Sequence, residues 1–176
     1  MKKWIDLAFK LGFSKAYPLN CTKFIVHPEI REICTTNRCN MYGKCWTCPP
    51  ACGSLEYCAK ILSQYHFGLL VELVQPLDDP FDIEGMMAAG KLHQEKFIAL
   101  VDKLREIWPR LLPLSANTCT RCETCTYPTT PCRFPKTAFS PVEAFGLIVS
   151  EIYEANEIPY IYQEKNITLI GCCLLA

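Results

Sequence analysis

The chain has 176 residues, half of them hydrophobic, so it is long enough to bury a core without depending on disulfide bonds. Its 18 Lys and Arg residues equal its 18 Asp and Glu residues, so it lacks the basic excess of a nucleic-acid-binding protein. Nucleic acid is therefore not an expected partner.

The hydrophobic pattern predicts helices that alternate with strands. Helices are predicted over 2–12, 54–65, 82–108 and 140–156, with a helical turn over 28–32. Strands are predicted over 23–26, 67–74 and 111–114, followed by a closing hairpin of 160–163 and 167–174. This order indicates an α/β fold in a single domain, 1–176, with a mixed sheet, flanking helices and two cysteine-rich loops at 34–58 and 119–135.

The sequence gives no indication of export or membrane insertion. Charged residues interrupt the N-terminal apolar residues, and no small-residue cleavage site follows them. The longest uncharged apolar run, 169–176, is much shorter than the ~20 residues of a membrane helix. We expect a soluble, cytoplasmic protein whose thiols stay reduced. Because 13 cysteines cannot all pair with one another, metal binding or redox chemistry is the expected use of the thiols.

The loop at 119–135 carries the more informative cysteine pattern. Cys119, Cys122 and Cys125 are each separated by two residues, and Cys132 follows after six more. Structural zinc usually takes two separated pairs of cysteines, whereas three successive cysteines at this spacing are typical of an iron–sulfur cluster. Cys132 either completes this cluster or serves a second one. Zinc binding and free thiols remain the alternatives.

The loop at 34–58 holds six cysteines at irregular spacing, more than one metal site requires. Its candidate ligands are Cys34, Cys39, Cys48 and Cys58. Cys58 lies about one turn inside the helix that Ser54 is expected to cap, where the positive end of the helix dipole favours a thiolate. Cys52 and Cys45 are the alternatives to Cys58, and a zinc site of four cysteines is the alternative to a cluster.

Both loops resemble those of a known family. The matching segments are Cys34-x4-Cys39-x2-Tyr42-Gly43-x2-Trp46-x-Cys48-Pro49-Pro50, Cys119-x2-Cys122-x2-Cys125 and Pro131-Cys132-Arg133-Phe134-Pro135. They resemble a domain-of-unknown-function family of prokaryotic predicted metal-binding proteins. The resemblance implies metal binding, with an iron–sulfur cluster as the expected cofactor, and supplies no reaction. Cys45 and the pair Cys172–Cys173 lie outside the resemblance.

The remaining cysteines and the histidines are expected to be structural. Cys172 and Cys173 are adjacent on a predicted strand, so their side chains point to opposite faces and do not readily share a metal ion. Cys21 is likewise expected in the core. His27, His66 and His93 stand far apart in the sequence, which argues against a histidine zinc site.

The leading functional hypothesis is a cytoplasmic iron–sulfur protein that transfers single electrons to or from a redox protein partner. It would bind two [4Fe-4S] clusters through Cys34, Cys39, Cys48, Cys58, Cys119, Cys122, Cys125 and Cys132. One alternative is an enzyme whose first cluster has an open iron that binds substrate. The other is a zinc-stabilised interaction module without redox activity.

Overall fold

The computed structural model describes residues 1–161 and 164–176. Its α-helices are α1 (Lys2–Lys10), α2 (Pro28–Thr35), α3 (Leu55–Leu62), α4 (Ile83–Arg105) and α5 (Val149–Ala155). Its strands are β1 (Lys15–Asn20), β2 (Phe67–Pro76), β3 (Leu112–Ser115), β4 (Ser140–Pro141) and β5 (Asn166–Leu175). The predicted α/β class is confirmed.

The strands form one mixed sheet in the order β1-β2-β5-β3-β4. The central pair, β2 and β5, is antiparallel over its whole length, from Phe67 opposite Leu175 to Pro76 opposite Asn166. Strand β3 pairs antiparallel with β5 and parallel with β4.

Alternating side chains of the central strands bury both faces of the sheet. On one face, Leu69 and Cys173 pack with Phe97 and other apolar residues of α4. On the other face, Leu70 and Cys172 pack with residues of α3 and α5. Adjacent cysteines on β5 therefore point to opposite sides of the sheet, and both are completely buried, as predicted.

The prediction of a strand over 23–26 was wrong. The edge of β2 pairs instead with 15–20, in a register that sets Lys15 opposite Glu72 and Asn20 opposite Phe67. Cys21–Lys23 form a 3₁₀ turn directly after β1. The apolar residues at 24–26 follow this turn and pack against the core in part, which gives them a strand-like sequence pattern without a place in the sheet.

The helix predicted over 140–156 was also wrong in its first half. Ser140–Pro141 form β4, and Val142–Phe145 form a 3₁₀ turn that ends at Gly146 with a φ of 73°. A Cβ at Gly146 would lie 2.7 Å from a Leu55 methyl group, so both the backbone conformation and the packing require glycine. The α-helix begins only at Val149.

The closing hairpin was predicted incorrectly in its first strand. Residues 160 and 161 have no regular structure, and 162–163 lie outside the described residues. The second strand is correct as β5, but its partners are β2 and β3. Long-range pairing therefore replaces the expected local hairpin.

The sheet also determines where the two cysteine-rich loops lie. The second loop leaves the sheet after β3 and returns at β4, and these two strands are hydrogen-bonded neighbours. The first loop connects α2 to α3, and Trp46 from this loop donates a hydrogen bond of 3.1 Å to the Thr130 carbonyl of the second loop. The Trp46 and Tyr127 rings meet edge to face at 4.9 Å. The two loops thus contact each other on one side of the domain.

Within residues 1–161 and 164–176, no helix combines the length and the apolar character that crossing a bilayer requires.

Candidate metal centre

Five thiols surround a small cavity of about 20 Å³ at the second loop. Four of them come from that loop itself and one comes from the first loop: Cys119, Cys122, Cys125, Cys132 and Cys45. Trp46 and Arg121 complete much of the wall. We call these five cysteines the second thiol group. The structure brings together all four cysteines that the sequence assigned to this loop and adds Cys45.

Cys45 is the most enclosed member of this group, with 2% of its surface exposed. Its Sγ lies 3.2 Å from the Thr47 hydroxyl. Hydrogen bonding by the thiols of Cys119 and Cys48 lowers the pKa of Cys45, against the opposing effect of burial. The same contacts, together with burial, raise the pKa of Cys48 and Cys119. Among Cys45, Cys48 and Cys119, these hydrogen bonds therefore favour the thiolate form of Cys45.

Three thiols of the first loop, Cys34, Cys39 and Cys48, line a much larger cavity of about 970 Å³. We call them the first thiol group. Cys34 lies in the last turn of α2, whereas Cys48 is buried in the loop. The chain between them turns sharply, because Asn37 and Asn40 adopt left-handed conformations with φ of 53° and 59°. These turns return Cys39 to the same cavity as Cys34.

Cys58, the fourth predicted ligand of this loop, lies behind the first thiol group. It sits on α3, which Ser54 caps as expected by accepting the Tyr57 N–H at 3.2 Å, and it is completely buried in the hydrophobic core. Cys52 lies nearer to the group. A hydrogen bond from Cys58 lowers the pKa of Cys52 to about 6, with a further contribution from Arg31. Neither Cys52 nor Cys58 is among the described residues that line the large cavity, so the fourth ligand of the first loop stays a prediction.

Arg31 fixes the position of Cys52. Its guanidinium donates hydrogen bonds to the Ala144 carbonyl at 2.6 Å and to the Cys52 Sγ at 3.1 Å, and a third to the Gly53 carbonyl. Because its planar fork binds several acceptors at fixed angles, one side chain connects α2, the end of the first loop and the 3₁₀ turn before Gly146.

Residues of α4 and of the 3₁₀ turn Val142–Phe145 also line the large cavity. His93 on α4 is 1% exposed, and its Nε2 has no hydrogen-bond partner among the described residues. Burial lowers the pKa of His93 to about 4, so its imidazole is neutral near pH 7. Glu143 also lines the cavity, where enclosure by the protein raises the pKa of its carboxyl group. The large cavity thus combines thiols with an uncharged imidazole and a carboxyl group.

The two thiol groups are adjacent. Cys45 belongs to the second group and Cys48 to the first, and the backbone N–H of Cys48 donates to the Cys45 carbonyl at 3.2 Å. A single turn of the chain therefore supplies a thiol to each group.

The thiols surround cavities instead of converging on one point. All 13 cysteines are free, so every one retains its capacity to bind a metal. Within residues 1–161 and 164–176, no three Cys, His, Asp or Glu side chains converge closely enough to hold a metal ion as they stand. The donor set is rich in thiolates, which are the preferred ligands of zinc, copper(I) and iron–sulfur clusters.

Sequence reasoning missed two features of this site. It kept Cys45 as an alternative ligand in its own loop, because the contact between the two loops is not visible in the sequence. That contact depends on the hydrogen bond between Trp46 and Thr130, which are 84 residues apart along the chain. It also did not detect the large cavity, since Cys34 and His93 come together only through the packing of α2 and α4 around the sheet. The one local signal was the isolated aromatic residue, Trp46, between cysteines.

Comparison with known proteins identifies one family. The family described as predicted metal-binding protein (DUF2284) matches residues 17–175, which is nearly the whole chain. No curated protein and no solved structure matches it.

Proposed function

This chain belongs to the DUF2284 family of predicted metal-binding proteins, and we propose that its two thiol groups bind iron–sulfur clusters and serve one-electron transfer with a redox protein partner. Two [4Fe-4S] clusters, when bound, would supply the electron carriers. The observation that carries this proposal is the adjacency of the two groups through Cys45 and Cys48. Adjacent sites allow an electron to pass from one cluster to the other.

The arrangement of the thiols supports clusters over single zinc ions. Four thiolates on zinc must all approach to about 2.3 Å from one centre. In a cluster each thiolate binds a different iron, so the ligands surround a volume. The five thiols of the second group surround a cavity without converging. Three of them also carry the C-x2-C-x2-C spacing.

The second loop has the adaptability that this proposal requires. The enclosed space of about 20 Å³ holds little more than one water molecule, so a cluster needs the loop to widen. Cys122, Cys125 and Cys132 are all partly exposed and lie in a segment without helix or strand. Their movement therefore disturbs neither the sheet nor the core. Their partial exposure also supports contact with a redox partner at this loop.

Metal analysis tests the proposed function. Protein purified without oxygen should be brown and contain iron and acid-labile sulfide, and its visible absorption should bleach on chemical reduction. The reason is that thiolate-bound clusters absorb visible light and change oxidation state. A colourless protein that contains zinc without sulfide would contradict the proposal and support the zinc-stabilised interaction module instead.

The large cavity favours a second candidate function, an enzyme. Among the described residues, three thiols line the cavity, and a cluster held by three protein ligands has one open iron. Its volume of about 970 Å³ lies within the range of pockets that hold small molecules. His93 and Glu143 would then lie on the wall that faces a bound substrate.

Filling the cavity distinguishes the enzyme from the electron carrier. If the cavity admits small molecules to an open iron, 2-mercaptoethanol or citrate should alter the electron paramagnetic resonance spectrum of the reduced wild-type protein. Ala88→Phe, which fills the cavity from α4, should weaken that response several-fold. Ala99→Phe is the matched control, because Ala99 is exposed on the same helix outside the cavity. An unchanged wild-type spectrum with both probes would count against an open iron.

A further inference from the structure

Cys45 is part of the first loop by sequence but part of the second thiol group by position. It lines the small cavity together with Cys119, Cys122, Cys125 and Cys132. The large cavity of the first thiol group is lined by its near neighbour Cys48 instead. The two cysteines therefore line different cavities, although their thiols are hydrogen-bonded to each other.

The backbone around Cys45 holds its side chain in this position. The Gly43 N–H donates to the Pro49 carbonyl at 2.9 Å, and the Cys48 N–H donates to the Cys45 carbonyl at 3.2 Å, so both sides of the turn are fixed. Trp46, the next residue, is hydrogen-bonded to Thr130 and packs on Tyr127. These contacts tie the Cys45 segment to the second loop before any metal is considered.

Cys132 is a more exposed member of the same group than Cys45. It is partly exposed, and its Sγ accepts the Phe134 N–H at 3.4 Å within its own loop. Cys45, at 2% exposure, is buried. A buried ligand connects the site to the rigid part of the fold, whereas a more exposed ligand moves with the loop.

We propose that Cys45 is a metal ligand of the second thiol group, completing the set formed by Cys119, Cys122 and Cys125. This inference rests on the proposed metal-binding function. The bound metal then links the two loops covalently through thiolates from both. One consequence is that removing the metal loosens both loops together, since each loses an anchor to the other.

Replacing single cysteines tests this assignment. Cys45→Ala should lose the metal of the second group, about half of the total per chain in a protein with two equivalent sites. Cys21→Ala is the matched control, because Cys21 is also a buried free thiol but lies in the core away from both cavities, and this variant should keep its full metal content. Full metal content in Cys45→Ala, with the second-group spectrum unchanged, would overturn the proposal.

A second variant keeps the test decisive if Cys45→Ala does not fold. In Cys45→Ser the hydroxyl retains a coordinating oxygen, so the folded protein should show a shifted electron paramagnetic resonance spectrum, with an unchanged far-ultraviolet circular dichroism spectrum. A spectrum identical to that of the wild type in this folded variant would also overturn the proposal.

Failure of the proposed function is distinguishable from failure of this inference. If the wild-type protein contains zinc and no sulfide, the electron-transfer function fails, but zinc content in Cys45→Ala and Cys21→Ala still decides whether Cys45 is a ligand. If the wild-type protein contains clusters and Cys45→Ala keeps both, only the inference fails.

Discussion

Replacing Cys122 with alanine should remove the metal of the second thiol group and leave that of the first group in place. Cys122 is the middle cysteine of the C-x2-C-x2-C segment and lines the small cavity, whereas the first group lines a separate cavity. A thiolate ligand cannot be replaced by a methyl group, so the site loses its metal. We expect metal per chain to fall by about half in a protein with two equivalent sites, and the electron paramagnetic resonance signal of one cluster to disappear.

Thr124→Ala is the matched control for this prediction. Thr124 is exposed and lies two residues from Cys122 in the same loop, so it reports any general disturbance of the loop. This variant should keep the metal content and spectrum of the wild type. If Cys122→Ala also keeps both, Cys122 is not a ligand.

Replacing Arg31 with methionine should destabilise the protein and reduce metal binding at the first thiol group. The change leaves the Ala144 and Gly53 carbonyls without their charged donor and removes the hydrogen bond to the Cys52 Sγ. Hydrogen bonds to charged groups contribute about 1.5–3 kcal/mol each, but these three share one partly exposed side chain and are not additive. We therefore expect a loss of roughly 2–4 kcal/mol in the free energy of unfolding. In a chain of this size the thermal midpoint should fall by roughly 5–15 °C.

The matched control is Arg38→Met, which removes the same charge from an exposed position in the first loop. Its thermal midpoint should change by less than about 2 °C, because surface substitutions away from such contacts cost about 0.5 kcal/mol at most. The thermal midpoint of Arg31→Lys should lie between those of Arg31→Met and Arg38→Met, since lysine keeps the charge but lacks the planar fork. Equal midpoints and equal iron content in Arg31→Met and Arg38→Met would show that Arg31 does not position the loop.

Local patterns in the sequence were sufficient for most helices and for the central strands. Asp82 begins α4 as expected, because its carboxylate accepts the Gly85 N–H at 2.8 Å, an interaction that requires only neighbouring residues. Leu69 to Leu73 form a buried strand as their apolar, partly β-branched sequence predicts. The errors arose where long-range pairing or packing determines the secondary structure. Residues 15–20, which include a proline, become the edge strand because β2 is available to them.

The candidate site also combines features that local spacing predicts with features that depend on long-range packing. The spacing of Cys119, Cys122 and Cys125 brings these thiols together in any compact loop, since only two residues separate each pair. Cys34, Cys39 and Cys48 line one large cavity, and tight turns at Asn37 and Asn40 lie between Cys34 and Cys48. The position of Cys58 could not be predicted from its spacing in the sequence. Its helix was predicted, but the face that it presents to the core depends on packing against the sheet.

The sequence by itself predicted a metal-binding protein with thiol ligands, and the chain belongs to a family of predicted metal-binding proteins. Ten of its 13 cysteines lie in two loops between apolar elements, and thiolates are the preferred ligands of soft metals. The tertiary structure alone decided how those thiols are divided. Cys45 lines the small cavity of the second loop, and His93 and Glu143 line the same cavity as the first thiol group, because the sheet and the Trp46 contacts bring distant segments together. The spacing of residues along the chain predicts only which of them lie close together locally. A cavity is lined by residues from distant segments, and their separation in sequence does not predict their distance in space.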